Sequence, residues 1–304
     1  MNCKTLTAAL VISAISTFTM TPAHAQTSPE AEVQDNAEQR INFSGRLRML
    51  SQRIPSAACH LDQGIDVEGA TALLTAATAE FEKILTALEF GDSDLDIQEP
   101  EHNARTLDAI ATLRGRWEPL KVAANAVVNE TASNEQGSYI VVENLQVLAA
   151  AQLLVEQLVR QYSNPNAMTF ASLMLIDISG RQRMLTQKMS KESCMIIAGD
   201  STVVDSDDLT VTMRIFENSL YALRNGNIDV GINPPPTAQI VTGLDGVTQD
   251  WERVKSYLSQ VLAGADLDAQ ANTAKFQGLN QTMVNMNTVV GMYANAAERL
   301  VPLN

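Results

Sequence analysis

The strongest constraint on the fold is an internal duplication. Residues 41–53, Ile-Asn-Phe-Ser-Gly-Arg-Leu-Arg-Met-Leu-Ser-Gln-Arg, return at 176–188 as Ile-Asp-Ile-Ser-Gly-Arg-Gln-Arg-Met-Leu-Thr-Gln-Lys, an offset of 135. Without a gap the same offset carries Cys59 onto Cys194, Gly64 onto Gly199, Phe81-Glu82 onto Phe216-Glu217, Gly91 onto Gly226 and Pro100 onto Pro235. After one deletion Trp117-Glu118 falls on Trp251-Glu252. A register held this long marks a tandem repeat, so the chain is two similar units rather than one large domain.

Each unit reads as four helices. Phe43, Leu47, Leu50, Ile54 and Ala57 recur three or four apart, the spacing of one helix face. The predicted helices are 32–61, 69–90, 101–129 and 138–161, then 167–198, 208–225, 237–263 and 266–300. Gly64 and Gly91 stand where helices end, and Pro55 sits inside the first helix opposite Ser190 of the repeat. No Asn-Gly hairpin or sustained alternation of β-branched residues appears. The expected fold is all-α, two tandem antiparallel four-helix bundles. A short connection at 163–166, Ser-Asn-Pro-Asn, favours a reversal. The bundles then stand side by side about a pseudo-twofold axis with the duplicated boxes facing; the alternative is two bundles in line with the boxes far apart.

The first 25 residues read as a signal peptide rather than fold. Lys4 gives a thin positive start, Leu6 to Met20 a short apolar core, and Ala23-His24-Ala25 a small-x-small cleavage pattern. The unit boundaries are then 1–25 leader, 26–163 first bundle and 164–304 second bundle. The apolar stretch 139–159 is interrupted by Glu143, Asn144, Gln146, Gln152, Glu156 and Gln157, which argues against stable membrane insertion. The expected location is periplasmic. Loss of the leader leaves 20 basic against 35 acidic side chains, a formal charge of −15. Such an acidic chain is no nucleic-acid binder, because a duplex ligand needs a basic face to displace counterions.

Against that background two basic boxes stand out: Arg46, Arg48 and Arg53 in the first unit, Arg181, Arg183 and Lys188 in the second. The pattern Gly-Arg-x-Arg-Met-Leu-x-Gln, with Leu-Glu-Phe-Gly-Asp and Trp-Glu-Pro-Leu further on, resembles the type IV pilus methyl-accepting chemotaxis transducer N-terminal domain, the PilJ-like family. It also resembles the periplasmic sensor domains of NarX-type nitrate/nitrite sensor kinases. The resemblance covers essentially the whole mature chain, twice. It implies that the box lies on the first helix of each bundle. There the arginine before methionine, Arg48 here and Arg183 in the repeat, meets its symmetry mate to hold an anion. The second basic position is Arg53 and Lys188. Arg46 and Arg181 stand where the nitrate sensors carry a small polar residue, as in the pilus-transducer version. Both families continue into a membrane span and an output domain that do not follow here, so the expected partner is a separate membrane receptor, kinase or transporter.

Guanidinium forks suit a small planar oxyanion because they donate bidentately and stay charged at any relevant pH. The alternatives stay open at this stage: ion pairs with Glu38, Asp177 or Glu192, or docking of a partner on a scaffold module with no small ligand. Cys59 lies 11 residues after Arg48 and Cys194 lies 11 after Arg183, almost three helical turns, so each shares its arginine's face. If the boxes face each other the cysteines approach, and a disulfide between the units becomes feasible; two buried thiols are the other outcome.

No other chemistry has a candidate. Asp92, Asp94 and Asp96 are spaced like a calcium loop, but Ile97 stands at the required glycine. His60 and His102 lack metal-ligand spacing. No phosphate loop, nucleophile elbow, cofactor motif or catalytic carboxylate pair is present. The expectation is a non-enzymatic sensor without cofactor or metal.

Overall fold

The computed structural model describes residues 37–162, 170–199 and 204–299. Residues 1–25, expected as a leader, and the 163–166 connection lie outside the described residues. Those described form eight α-helices: α1 (Ala37–Asp62), α2 (Val67–Phe90), α3 (Ala104–Val128), α4 (Asn134–Tyr162), α5 (Phe170–Ala198), α6 (Ser206–Asn225), α7 (Ala238–Leu262) and α8 (Ala269–Arg299).

Local chemistry sets the helix starts. Asn103 accepts from the amides of Arg105 and Thr106, which delays α3 to Ala104 rather than 101. Ser133 and Gln136 bond reciprocally, the amide of Gln136 to Ser133 Oγ at 3.2 Å and the amide of Ser133 to Gln136 Oε1 at 3.0 Å. This capping box starts α4 four residues before the predicted 138. Asp205 and Asp208 make a matching box at α6. Gly91 and Gly226 end α2 and α6 at φ of 83° and 77°, where a side chain would be strained, and each donates its amide to the preceding turn. Their loops fold identically, through 3₁₀ turns at Ser93–Leu95 and Ile228–Val230 closed by bridges Asp92 to Ile97 and Asn227 to Ile232.

Helices α1–α4 pack as one bundle and α5–α8 as the other, and α1 lies along α5. The cores repeat. Phe81 stacks on Trp117 with centroids 4.0 Å apart, and Phe216 meets Trp251 at 4.8 Å. Each buried indole donates to the duplicated glutamate, Trp117 to Glu82 at 2.9 Å and Trp251 to Glu217 at 3.1 Å, so neither leaves its N–H unsatisfied. Helix α4 is long and apolar enough by composition to cross a membrane. In the bundle it buries Ile140, Val147, Ala151, Leu154 and Leu158 against its neighbours.

The two arrangements left open by the sequence resolve to side by side. Contacts between α1 and α5 recur at a nearly constant offset: Arg53 Nε donates to Gln187 at 3.2 Å, Ser56 Oγ to Ser190 Oγ at 2.7 Å, and Cys59 is disulfide-bonded to Cys194 with Cα atoms 6.2 Å apart. A constant offset means parallel helices related by a pseudo-twofold axis. Both are enclosed nearly all round. Ser44, Arg48, Ser51, Gln52 and Ser56 on α1 and Ser179, Gln182, Arg183, Thr186 and Gln187 on α5 are buried although polar.

The disulfide closes a loop of 135 residues, for which chain entropy gives about 4 to 5 kcal/mol. Thiol titration of the native protein should find Cys59 and Cys194 unreactive, and Cys59→Ser should lower the melting temperature by on the order of 10 °C. Two reactive thiols in the native protein would contradict the facing of α1 and α5.

Candidate functional site

The duplicated boxes meet on the axis. An added Cβ at Gly45 would lie 3.3 Å from Arg183 Nη2 and 3.4 Å from Arg48 Nη2; one at Gly180 would meet the same atoms at 3.3 and 3.7 Å. The two glycines therefore provide the floor on which both guanidinium groups rest. Their role is clearance rather than backbone freedom.

Each arginine reaches across to the other unit. Arg183 donates from Nη1 to Asn42 Oδ1 at 3.0 Å and to Asn287 Oδ1 at 2.7 Å, and from Nη2 to the Asn42 carbonyl at 3.2 Å. Arg48 donates from Nη1 to Gln152 at 2.7 Å, and its Nη2 lies 2.7 Å from Asp177 Oδ1. Asn42 pairs with Asp177, and Gln152 with Asn287, at the repeat offset. The duplication has thus produced one site with two nearly equivalent halves.

Burial makes this placement expensive. Arg48 and Arg183 are each 1% exposed. Burial lowers the affinity of Arg48 for its proton, and the Asp177 carboxylate opposes that. Arg183 is held well below the ordinary guanidinium range, first by burial and then by the charges of Arg46 and Arg48. Among the described residues no carboxylate pairs with it, and its acceptors are neutral. An unpaired buried charge costs several kcal/mol, which an apolar residue there would avoid.

The remaining candidates divide. Arg46 pairs with Glu80 of α2, and Arg181 with Asp177 at 3.2 Å, so both flank the central pair with their charges matched. Arg53, which burial lowers to about 10, bonds Gln187 on the interface. Lys188 is not brought to the site. It pairs with Glu192 and donates to Thr212 at 2.8 Å inside the second bundle. The equivalents of those two partners in the first bundle are Ala57 and Ala77, which offer Arg53 nothing comparable.

Two buried lysines lie beyond the six box residues: Lys191, which the sequence groups with the second basic box, and Lys275, which it does not single out. Lys191 crosses into the first bundle, donating to Gln52 at 2.9 Å and Asn144 at 3.0 Å, with its pKa pushed down by burial to about 8. Lys275 of α8 stands where the first unit has Ile140. It is fully buried, its Nζ has no hydrogen-bond partner among the described residues, and burial pushes it down to about 7. A lysine at an otherwise apolar repeat position is the signal that would have found it.

Both units match the family model for the N-terminal domain of type IV pili methyl-accepting chemotaxis transducers, over residues 31–141 and 174–276. The chain belongs to this family and carries its domain twice. Among characterised relatives, the methyl-accepting chemotaxis protein McpN of Pseudomonas aeruginosa is 27% identical over 124 residues, 40% of this chain and 22% of the relative. The match spans less than a quarter of that relative's length. Among solved structures, the ligand-binding domain of the P. aeruginosa nitrate receptor McpN is 24% identical and aligns with a TM-score of 0.37, covering 43% of this chain and 98% of that domain.

Lys275 generates a pH prediction. Its native pKa of about 7 lies below the ordinary 10.5, so between these values the unfolded chain holds more protons and stability rises with pH. Below about pH 7 the amine is charged in both states and its burial cost is fully present. His60, whose ring stacks on Phe276, is pushed down by burial to about 3 and stays neutral throughout this window. Lys275→Met should therefore stabilise the fold by on the order of 4 kcal/mol below pH 7, with the gain fading toward pH 10.5. Chemical denaturation of both proteins at pH 6.5 and 10 checks this; an equal difference at both pH values would contradict it.

Proposed function

We infer that this protein is a periplasmic sensor. It would bind a small monovalent oxyanion between α1 and α5, at Arg183 with Arg48, and report its occupancy to a membrane receptor, kinase or transporter. The observation that carries this reading is Arg183, a guanidinium buried on the internal axis with only neutral acceptors. For two N–H bonds Nη2 meets a single acceptor among the described residues, the Asn42 carbonyl. A planar anion supplies both the charge and the acceptors, and it binds a fork bidentately. Family membership supports the sensing role, since the matched domain is the N-terminal part of chemotaxis transducers. Nitrate is the first anion to test because the box resembles that of nitrate sensors. No catalytic role is proposed.

Coupling follows from the geometry. An anion between parallel helices contacts both bundles at once, so its binding energy depends on how α1 and α5 sit together, and a partner that reads their relative position reads occupancy. A second reading, a scaffold that docks a partner, draws support from Val142, Leu145 and Leu153, which are exposed on α4.

Nitrate at 100 times its dissociation constant should stabilise the native chain by about 2.7 kcal/mol, and Arg183→Gln should abolish that response. Thermal melting in a chloride-poor buffer with nitrate, nitrite and formate checks this. No shift with any of them, together with partner binding unchanged in Arg48→Ala and Arg183→Ala, would favour the scaffold.

A further inference from the structure

The halves of the site are copies in shape but not in charge. Asn42 in one box is Asp177 in the other. Asp177 sets one carboxylate oxygen 2.7 Å from Arg48 Nη2 and the other 3.2 Å from Arg181. At the equivalent place Arg183 Nη2 meets only the peptide carbonyl of Asn42, at 3.2 Å. A second exchange accompanies the first. Glu80 matches Arg46 in the first unit, whereas the equivalent position in the second is Ile215, so Arg181 draws on Asp177. Of these four arginines, Arg183 alone makes no direct ion pair among the described residues, although the Glu80 charge still acts on it from a distance.

We propose that Asp177 is a built-in counter-anion. It occupies the Arg48 half of the arginine pair, confines an incoming anion to the Arg183 half, and sets the affinity and charge selectivity of the site. This deepens the anion-binding reading above and rests on it. A carboxylate and a nitrate present two coplanar oxygens to a guanidinium in the same way, so one competes for what the other would hold. Asp177, shared by Arg48 and Arg181, lowers the positive charge at the axis by one and so favours a monovalent anion. Without the carboxylate the axis is more positive by one charge and better suits a divalent anion. The Asp177 side chain is 22% exposed and lines a cavity of about 300 Å³ between α4 and α5, with Gln152, Glu156, Arg160 and Met174.

The test is isothermal titration of the full chain with nitrate and with sulfate, in chloride-poor buffer, using near-isosteric exchanges. Asp177→Asn should tighten nitrate about tenfold to a hundredfold, the range for one charge-assisted hydrogen bond, and sulfate by more. Asn42→Asp gives Arg183 the carboxylate that Arg48 has and should weaken nitrate by at least tenfold. Circular dichroism melts confirm that each variant is folded. If Asp177→Asn does not fold, the Asn42→Asp result alone decides. Nitrate binding that needs Arg183 but is unchanged in both exchanges would overturn the counter-anion role and leave the anion site standing. Binding seen only in Asp177→Asn would overturn the proposal as stated, because the Arg183 half would then not bind an anion in the native chain. Failure of every protein to bind either anion would overturn both.

Discussion

The parallel packing of α1 along α5 is the constraint on which the rest depends. Two helices this closely applied, each wrapped by its own bundle, leave no solvent for the polar residues between them. Most groups on the seam find partners across it, within their own helix, or on α4 and α8, while the Gln182 amide has none among the described residues. Ser51 and Thr186 answer by donating to the carbonyls of Arg48 and Arg183, both at 2.7 Å, and Ser56 answers with Ser190. Gly45 and Gly180 remove the side chains that would fill the axis, and the long arginines take that space. The disulfide between Cys59 and Cys194 pins one end of the seam, so the arginine pair is presented at a fixed register by a single chain.

Duplication within one chain frees the halves from identity. A homodimer must place the same residue on both sides of its axis, whereas here Asn42 faces Arg183 while Asp177 faces Arg48. The same freedom appears lower on the seam. Lys191 reaches Gln52 and Asn144, but its counterpart is Ser56 and that of Asn144 is Leu279. A buried charge on one side of the axis is thus balanced by something other than its own copy, and the interface has a polarity that a symmetric dimer lacks.

Much of this was legible in the sequence because repetition is a global signal. The offset of 135 dictated two units, the helical periodicity dictated bundles, and the shared face of arginine and cysteine dictated what would meet if α1 and α5 faced each other. Other features were not legible because they depend on neighbours from other helices. Lys188 occupies the same box position as Arg53, yet Glu192 and Thr212 hold it in its own bundle, and Thr212 lies on a different helix. Gln152 and Asn287 are polar residues on apolar helices until packing sets them on the arginines. The helix starts at Asn103 and Ser133 were missed because a capping bond, not periodicity, decides where the first turn begins.

One small oxyanion should bind on the internal axis of a single chain, on Arg183. A crystal structure of the native protein grown with nitrate tests it most directly. One planar anion per chain should appear between α1 and α5, over Gly45 and Gly180 and within hydrogen-bond distance of the Arg183 guanidinium. A nitrate-saturated crystal with the Arg183 guanidinium bonded only to Asn42, Asn287 and Gly180, and no anion on the axis, would contradict it.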